Sequence, residues 1–577
     1  MTFTDQTKVG KILRDPGTRE VLFAAVPEMD GAQHLDLVRG LSLERLSGYI
    51  GRDREWLDAV VVALDNVAVA GERGPAVEQH QLVEVDDGPG ASAPCTVQPS
   101  VALWGVEELS FAGPKSGNPF VDVQLRAAFE CGGVSITAHG FYDGDGTYRI
   151  RFMPEVEGAW TFRTWSNVRS LTGIEGSFHC GLPEPAGHGP VRVASTFHFA
   201  HADGTPHRPF GTTCYAWTHQ DEDLEQRTLL ALEASPFNKV RMCVFPKSYL
   251  YNENEPRWHA FERRDDGEFD LDRFDPRFFQ HLERRVSDLA RLGIEADLIL
   301  FHPYDRWGYS ELPSRTDDQY VRYVVARLAA HANVWWSLAN EYDLVWDKEE
   351  DDWERLGKLI RDHDPHAHLI GVHQCRDFYD HSEPWVTHCS LQRVDNYRTA
   401  ENISEWREQW QKPVVIDECA YEGDIDMPWG NITGEEMVRR CWEGAVRGGY
   451  VGHGETYHNP DEVLWWSKGG DLRGSSVARI AFLRSLLEQG PDTLEPLAQM
   501  TAWGYPTAGV AGEYYLQYLG FYQPCWRTLQ LPPQQAYLVE VIDTWNMTIA
   551  DAGVHKGTCR VELPGRPYMA VRATLVS

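Results

Sequence analysis

No two cysteines in this sequence are spaced C-x-x-C, although eleven of them are scattered between Cys95 and Cys559. That absence argues against a zinc ribbon and a disulfide framework and points to reduced, buried thiols. Missing too is any run of about 18 or more apolar residues, and the opening MTFTDQTKVGKILRDPG has no apolar core of an export signal. Neither a membrane span nor secretion is expected, so the reading is a cytoplasmic chain. Lys and Arg are in deficit: the formal net charge is −32. Such a balance repels phosphate backbones and anionic lipid, which excludes nucleic acid and membrane as partners and favours a neutral substrate. What the chain does have is length and rings. Its 577 residues exceed what one core serves, so roughly two to four domains are expected. It carries 21 Trp, 23 Tyr and 23 Phe, most of which must fill cores while a few can line a sugar site.

Residues 1–70 have helical periodicity, with Val9, Ile12 and Leu13, then Val21 and Leu22, then Trp56, Leu57, Val60 and Val61. They read as a helical module without catalytic groups, a packing or self-association element, so a homo-oligomer is one expectation. Residues 71–94, ending in DDGPGASAP, read as a linker. From 95 to 185, alternating segments such as VDVQLRAAF and WTFRTWS predict an antiparallel β-sandwich, and 491–577, with EYYLQYLG and AYLVEVID, predict a second. Between them, residues 195–490 alternate eight short β-rich runs with helical stretches, the rhythm of a (β/α)8 TIM barrel. The fold class expected is α/β: a barrel flanked by two small sandwiches.

Two of the eight runs end in a carboxylate. The fourth, Trp335-Trp336-Ser337-Leu338-Ala339, stops at Asn340-Glu341, and the seventh, Val414-Val415-Ile416-Asp417, stops at Glu418. A buried strand that ends on an ionisable group puts it at the barrel mouth, where it is costly unless paired or used. Retaining glycoside cleavage needs two such groups about 5–5.5 Å apart, one to protonate the leaving oxygen and one to attack the anomeric carbon. A single glutamate there would more often be a salt-bridged strand end. Two, one of them after Asn, favour chemistry. Other run ends add Arg241, His302, His373, His453 and Glu455, and an arginine beside Glu418 would keep it ionised while burial keeps Glu341 protonated. Tyr215, Trp217 and Gln220 are candidate walls of a sugar pocket, with core packing about equally expected.

The order N-K-V-R, F-H-P, L-A-N-E, V-V-I-D-E resembles the clan-A-type retaining (β/α)8 glycosidases. That resemblance implies Glu341 as acid/base, Glu418 as nucleophile, Asn340 as the residue facing the sugar 2-hydroxyl and Arg241 as the strand-two arginine beside the nucleophile. From about residue 98 onward the chain is also similar to a bacterial glycosidase group with a β-sandwich of unknown function before the barrel and another after it; WGVEELSF, GTTCYAWTHQ and VEVIDTWNMTI carry the likeness. The clan's strand-six and strand-eight partners are less clear. His388, Gln392 or Tyr397 are candidates to hold the nucleophile, and Tyr457, Trp465 or Trp466 to form the aromatic platform. Glu455 is the rival carboxylate and reads as a contact for sugar hydroxyls.

The expectation is a retaining, exo-acting glycosidase for an oligosaccharide or small glycoside, requiring no cofactor. A transglycosylase on the same site and a non-catalytic carbohydrate-binding protein are the alternatives. His302, His373 and His388 raise the thought of a metal, but no H-E-x-x-H and no lysine on the fourth run accompany them, so no metal is expected.

Overall fold

The computed structural model describes residues 3–14, 16–29, 38, 41–70, 92–497 and 504–576. Most of the stretch read as a linker, 71–91, lies outside them.

The N-terminal periodicity is realised as helices Val9–Arg14, Pro16–Ala25, Leu43–Tyr49 and Arg54–Ala70. Leu57, Val60 and Leu64, at offsets of three and four, bury one stripe of the last helix against Val9, Ile12, Leu22 and Leu46. Residues 95–181 form an eight-stranded, largely antiparallel sheet curled around Phe129, Phe152, Trp160 and Phe178. Strict alternation of buried and exposed side chains in Gly158–Ser166 shows why that segment is extended: one face meets the core and the other water. From Glu495 onward a six-stranded sheet and a two-stranded one are built, with Leu529, Val539, Val561 and Val571 in their shared core.

The central unit is built from parallel strands. Strands β1 (Gly211–Thr213), β2 (Lys239–Cys243), β3 (Glu295–Phe301), β4 (Val334–Ala339) and β5 (Ile370–Gly371) make a five-stranded half-barrel. Strands β6 (Cys389–Gln392), β7 (Val414–Glu418) and β8 (Tyr450–Val451) form a second parallel sheet. Every residue of β2, β3, β4 and β7 is buried. Strands covered on both faces read as continuous apolar runs rather than alternating ones, as these do. The helices between them pack one stripe inward. In Pro276–Arg291, Asp275 accepts a hydrogen bond from the Arg277 amide, proline occupies the first turn, and Phe278, Phe279, Leu282, Val286 and Leu289 are buried.

One buried charge cluster ties this unit together. Lys239 Nζ on β2 lies 2.5 Å from Asp297 on β3 and 2.7 Å from Asp417 on β7, and Ser390 on β6 donates to Asp417 at 2.6 Å. One ammonium thus joins strands of both parallel sheets. Taking it away leaves two buried carboxylates uncompensated, so Lys239→Met is expected to cost about 3–5 kcal/mol of stability. Equilibrium denaturation at neutral pH checks this, and a loss below about 1 kcal/mol would show that the triad is dispensable.

Candidate active site

Glu341 and Glu418 emerge from β4 and β7 into one hydrogen-bonded cluster, and only 5 % and 7 % of each is exposed. Glu341 accepts a hydrogen bond from the Tyr304 hydroxyl and a 3.4 Å contact from the Asn340 side-chain amide. Its own backbone is left-handed, φ 49° and ψ 56°. That conformation costs a non-glycine residue roughly 1–3 kcal/mol and persists only where neighbours enforce it. Here the turn swings the carboxylate off the strand line, and the Leu344 amide closes the turn on the Glu341 carbonyl at 2.9 Å.

Glu418 is held by the Tyr215 hydroxyl from the end of β1. The same hydroxyl stands 3.0 Å from the Asn340 side-chain carbonyl, which also accepts from Arg241 Nη1 at 3.1 Å. Tyr215 has one proton to give. With Glu418 ionised the hydroxyl serves the carboxylate; with Glu418 protonated it is free to serve Asn340. His373, beyond β5, spans the pair: the Glu341 amide donates to its Nδ1 at 3.4 Å, which leaves the proton on Nε2, 3.8 Å from Glu418 Oε1. Burial and nearby Arg241 hold this imidazole well below its usual pKa, so it is neutral.

Burial raises both carboxyls. It pushes Glu418 to about 8, with the Tyr421 hydroxyl pulling the other way. Glu341 is raised for the same reason, against the pull of Tyr304 and Lys247. Lys247, past the end of β2, brings a second cation beside Arg241. Its Nζ lies 3.5 Å from the ring centre of Tyr215, 4.3 Å from Tyr304 and 5.2 Å from Trp466. It therefore packs on the two tyrosines that donate to the two carboxylates. Burial lowers its pKa to about 8.

Glu341, Glu418, Asn340, Tyr215, Arg241 and His373 thus come together, and Gln392 joins at the rim, paired in register with Glu418 and 3.8 Å from the Cys375 thiol. Several expectations need correcting. Arg241 does not sit against Glu418; its guanidinium bonds Asn340 and Ser337 and helps hold Asp417 ionised below the mouth. Trp217 and Trp465 are core residues, their indoles donating to Met242 and Thr212, and Trp466 is the ring that packs with Tyr215 and Tyr421. His302 donates to the Phe245 carbonyl at 3.1 Å and touches neither carboxylate. His453 bonds Thr212 and stacks on Phe237 at the far side of β8.

Glu455 is not free for sugar. It accepts the backbone amides of Arg473 and Gly474, while Glu422 accepts those of Ser475 and Ser476 at 2.7 and 3.1 Å. Two buried carboxylates thereby take up the four successive amides of residues 473–476, which lead into helix Ser476–Glu488. Glu422, His453 and Glu455 offer ligand atoms within 4.8 Å of one another, and both carboxylates there already accept backbone amides. Neither His388, buried beside Trp335, nor Tyr397, 88 % exposed, holds Glu418. Tyr304, Lys247 and Tyr421 are the site residues sequence reasoning missed. Their signal was position: all three lie within a few residues of a parallel strand's C-terminal end.

Residues 194–497 match the family described as apiosidase-like, catalytic domain. Residues 100–167 and 503–574 match two domains of unknown function, DUF5060 and DUF5605. No curated protein matches the chain. A crystal structure of a Bacteroides vulgatus ATCC 8482 protein, described as a candidate glycoside hydrolase, is 39% identical, covers 83% of this chain and 100% of its own, and superposes with a TM-score of 0.79. A family 5 glycoside hydrolase from the same organism shares the fold at 15% identity, with 68% and 94% coverage and a TM-score of 0.51. Among the described residues no helix is long and apolar enough to cross a membrane. The chain belongs to the apiosidase-like family and is a glycosidase.

Proposed function

We propose that this glycosidase retains anomeric configuration, with Glu341 as general acid/base and Glu418 as nucleophile. In the first step Glu341 gives its proton to the leaving oxygen as a Glu418 oxygen bonds the anomeric carbon and the glycosidic bond breaks. In the second, Glu341 takes a proton from water, whose oxygen displaces Glu418. The observation that carries this reading is the one network in which Tyr304, Asn340 and Tyr215 connect the two buried carboxyls.

A raised pKa suits the acid: Glu341 keeps a proton to donate. Glu418 attacks only as the anion, so the reactive form carries its proton on Glu341, and the positive charge that grows at the anomeric carbon stabilises the Glu418 anion most in the transition state.

The architecture fits a closed (β/α)8 barrel of the clan-A type. The Thr213 amide reaches the His453 carbonyl at 2.9 Å, linking β1 to the end of β8, and the Thr387 amide reaches Ile370 at 2.9 Å, linking β5 to the approach to β6. Two flanking sandwiches complete that reading. Tyr249, Tyr251, Trp429 and Trp466 cluster beside Tyr215 and Tyr421, which supports a walled pocket and exo action on a short glycoside. The family's name makes an apioside the first substrate to try, beside aryl pyranosides and other furanosides.

On whichever glycoside the wild type cleaves, Glu341→Ala and Glu418→Ala are each expected to lower kcat by at least about 100-fold. Full activity in either variant contradicts the assignment. The pH dependence follows from the two carboxyls taken together. Only the singly protonated form reacts, so kcat/KM rises as the first proton leaves and falls as the second does. Because burial raises both groups, the rising limb is expected above the ordinary carboxylate value of 4.5 and the falling limb near 8. A rising limb at or below 4.5 would mean that the site is wetter than its geometry implies.

A further inference from the structure

The helical module ahead of the sheets lies outside all three matched segments, yet it touches the active-site loops. Lys8 Nζ donates to the Asp343 carbonyl at 2.5 Å and lies 5.7 Å from the ring centre of Tyr342. Lys11 pairs with Glu349, and Arg45 with Asp377. All of these partners follow β4 or β5. The two outer pairs are partly exposed to solvent and hold only weakly. Lys8 is the half-buried one, and its backbone is pinned: it bridges Ser42, with the Val9 amide on Leu41 at 2.9 Å and the Leu43 amide on Thr7 at 3.0 Å. Its ammonium therefore has a fixed origin.

What Lys8 grips is a knot. The Asp343 carboxylate accepts the amides of Cys375, Arg376 and Asp377 at 2.7, 2.9 and 3.1 Å. Tyr342 donates its amide to the His373 carbonyl at 2.9 Å, and His373 Nδ1 receives the Glu341 amide. The Cys375 thiol faces the Glu341 carboxylate. Residues 341–344 and 373–377 thus hold each other, and with them the left-handed turn that aims Glu341.

We infer that the N-terminal helical module is a positioning element of the active site, in which Lys8 clamps Asp343 and so fixes the general acid Glu341. Lys8 touches no substrate; it acts through Asp343, and its catalytic consequence rests on Glu341 being the acid/base.

The test uses the full-length chain with Lys8→Met and Lys8→Arg. Hydrogen exchange of the Cys375–Asp377 amides is expected to quicken about tenfold in Lys8→Met and to return toward wild type in Lys8→Arg, with strand Glu295–Phe301 unchanged in both. On aryl glycosides, Lys8→Met should lose about tenfold in kcat with poor leaving groups, where proton donation matters. It should lose little with dinitrophenolate, which leaves unprotonated, and KM should hold. Unchanged exchange, or an equal loss on both kinds of leaving group, overturns the inference. Glu341→Ala must show the same leaving-group pattern more strongly. If it does not, the assignment of Glu341 fails, and the exchange data still decide what Lys8 holds.

Discussion

Two carboxyl groups buried in one hydrogen-bonded cluster set the terms for everything around them. An isolated carboxylate out of water is expensive. The protein answers with hydroxyls rather than with a strong ion pair: Tyr304 on Glu341, Tyr215 on Glu418. A hydroxyl can donate to an anion or accept from an acid, so the site tolerates a proton on either carboxyl. A guanidinium in the same place would lock Glu418 as an anion. Arg241 is instead turned toward Asn340 and Ser337.

The cation that the pair does need sits behind the tyrosines. Lys247 lies against the faces of Tyr215 and Tyr304, where a desolvated ammonium gains up to about 2 kcal/mol from a ring. It reaches both carboxylates through the donors that serve them. Below, the Lys239–Asp297–Asp417 triad ties the strands; above, the knot around Asp343 holds the turn at Glu341. Rigid strands, a strained turn and the loops that enforce it form one arrangement.

How much of this was legible in the sequence depends on how local the signal was. The strand ends at Glu341 and Glu418 stood out because an apolar run that stops on a carboxylate is a statement about burial, readable from a few residues. Tyr215 was legible only as a candidate pocket wall, with core packing equally expected; its bond to Glu418 was not. Glu455 looked alike, at the end of GHGE, but its partners are amides near residue 474, and no spacing announces a helix that begins some twenty residues later. Trp217 and Trp465 illustrate the opposite failure: a ring near a strand end is as easily core as pocket, and the choice falls to which way the next turn points. Lys247 and Tyr304 were passed over because their role lies in a ring–cation contact between different loops. The helical periodicity of residues 9–70 was plain, whereas the docking of Lys8 on a loop more than three hundred residues away was not.

The central claim is that Glu418 bonds the sugar while Glu341 moves the proton. A 2-deoxy-2-fluoro glycoside of the sugar the enzyme cleaves, carrying a good leaving group, slows the second step enough to trap the covalent species. Peptide mass spectrometry of the labelled protein should find the sugar on Glu418. A stoichiometric label on any other residue, or rapid turnover of the natural glycoside with inversion and no label at all, would contradict the account.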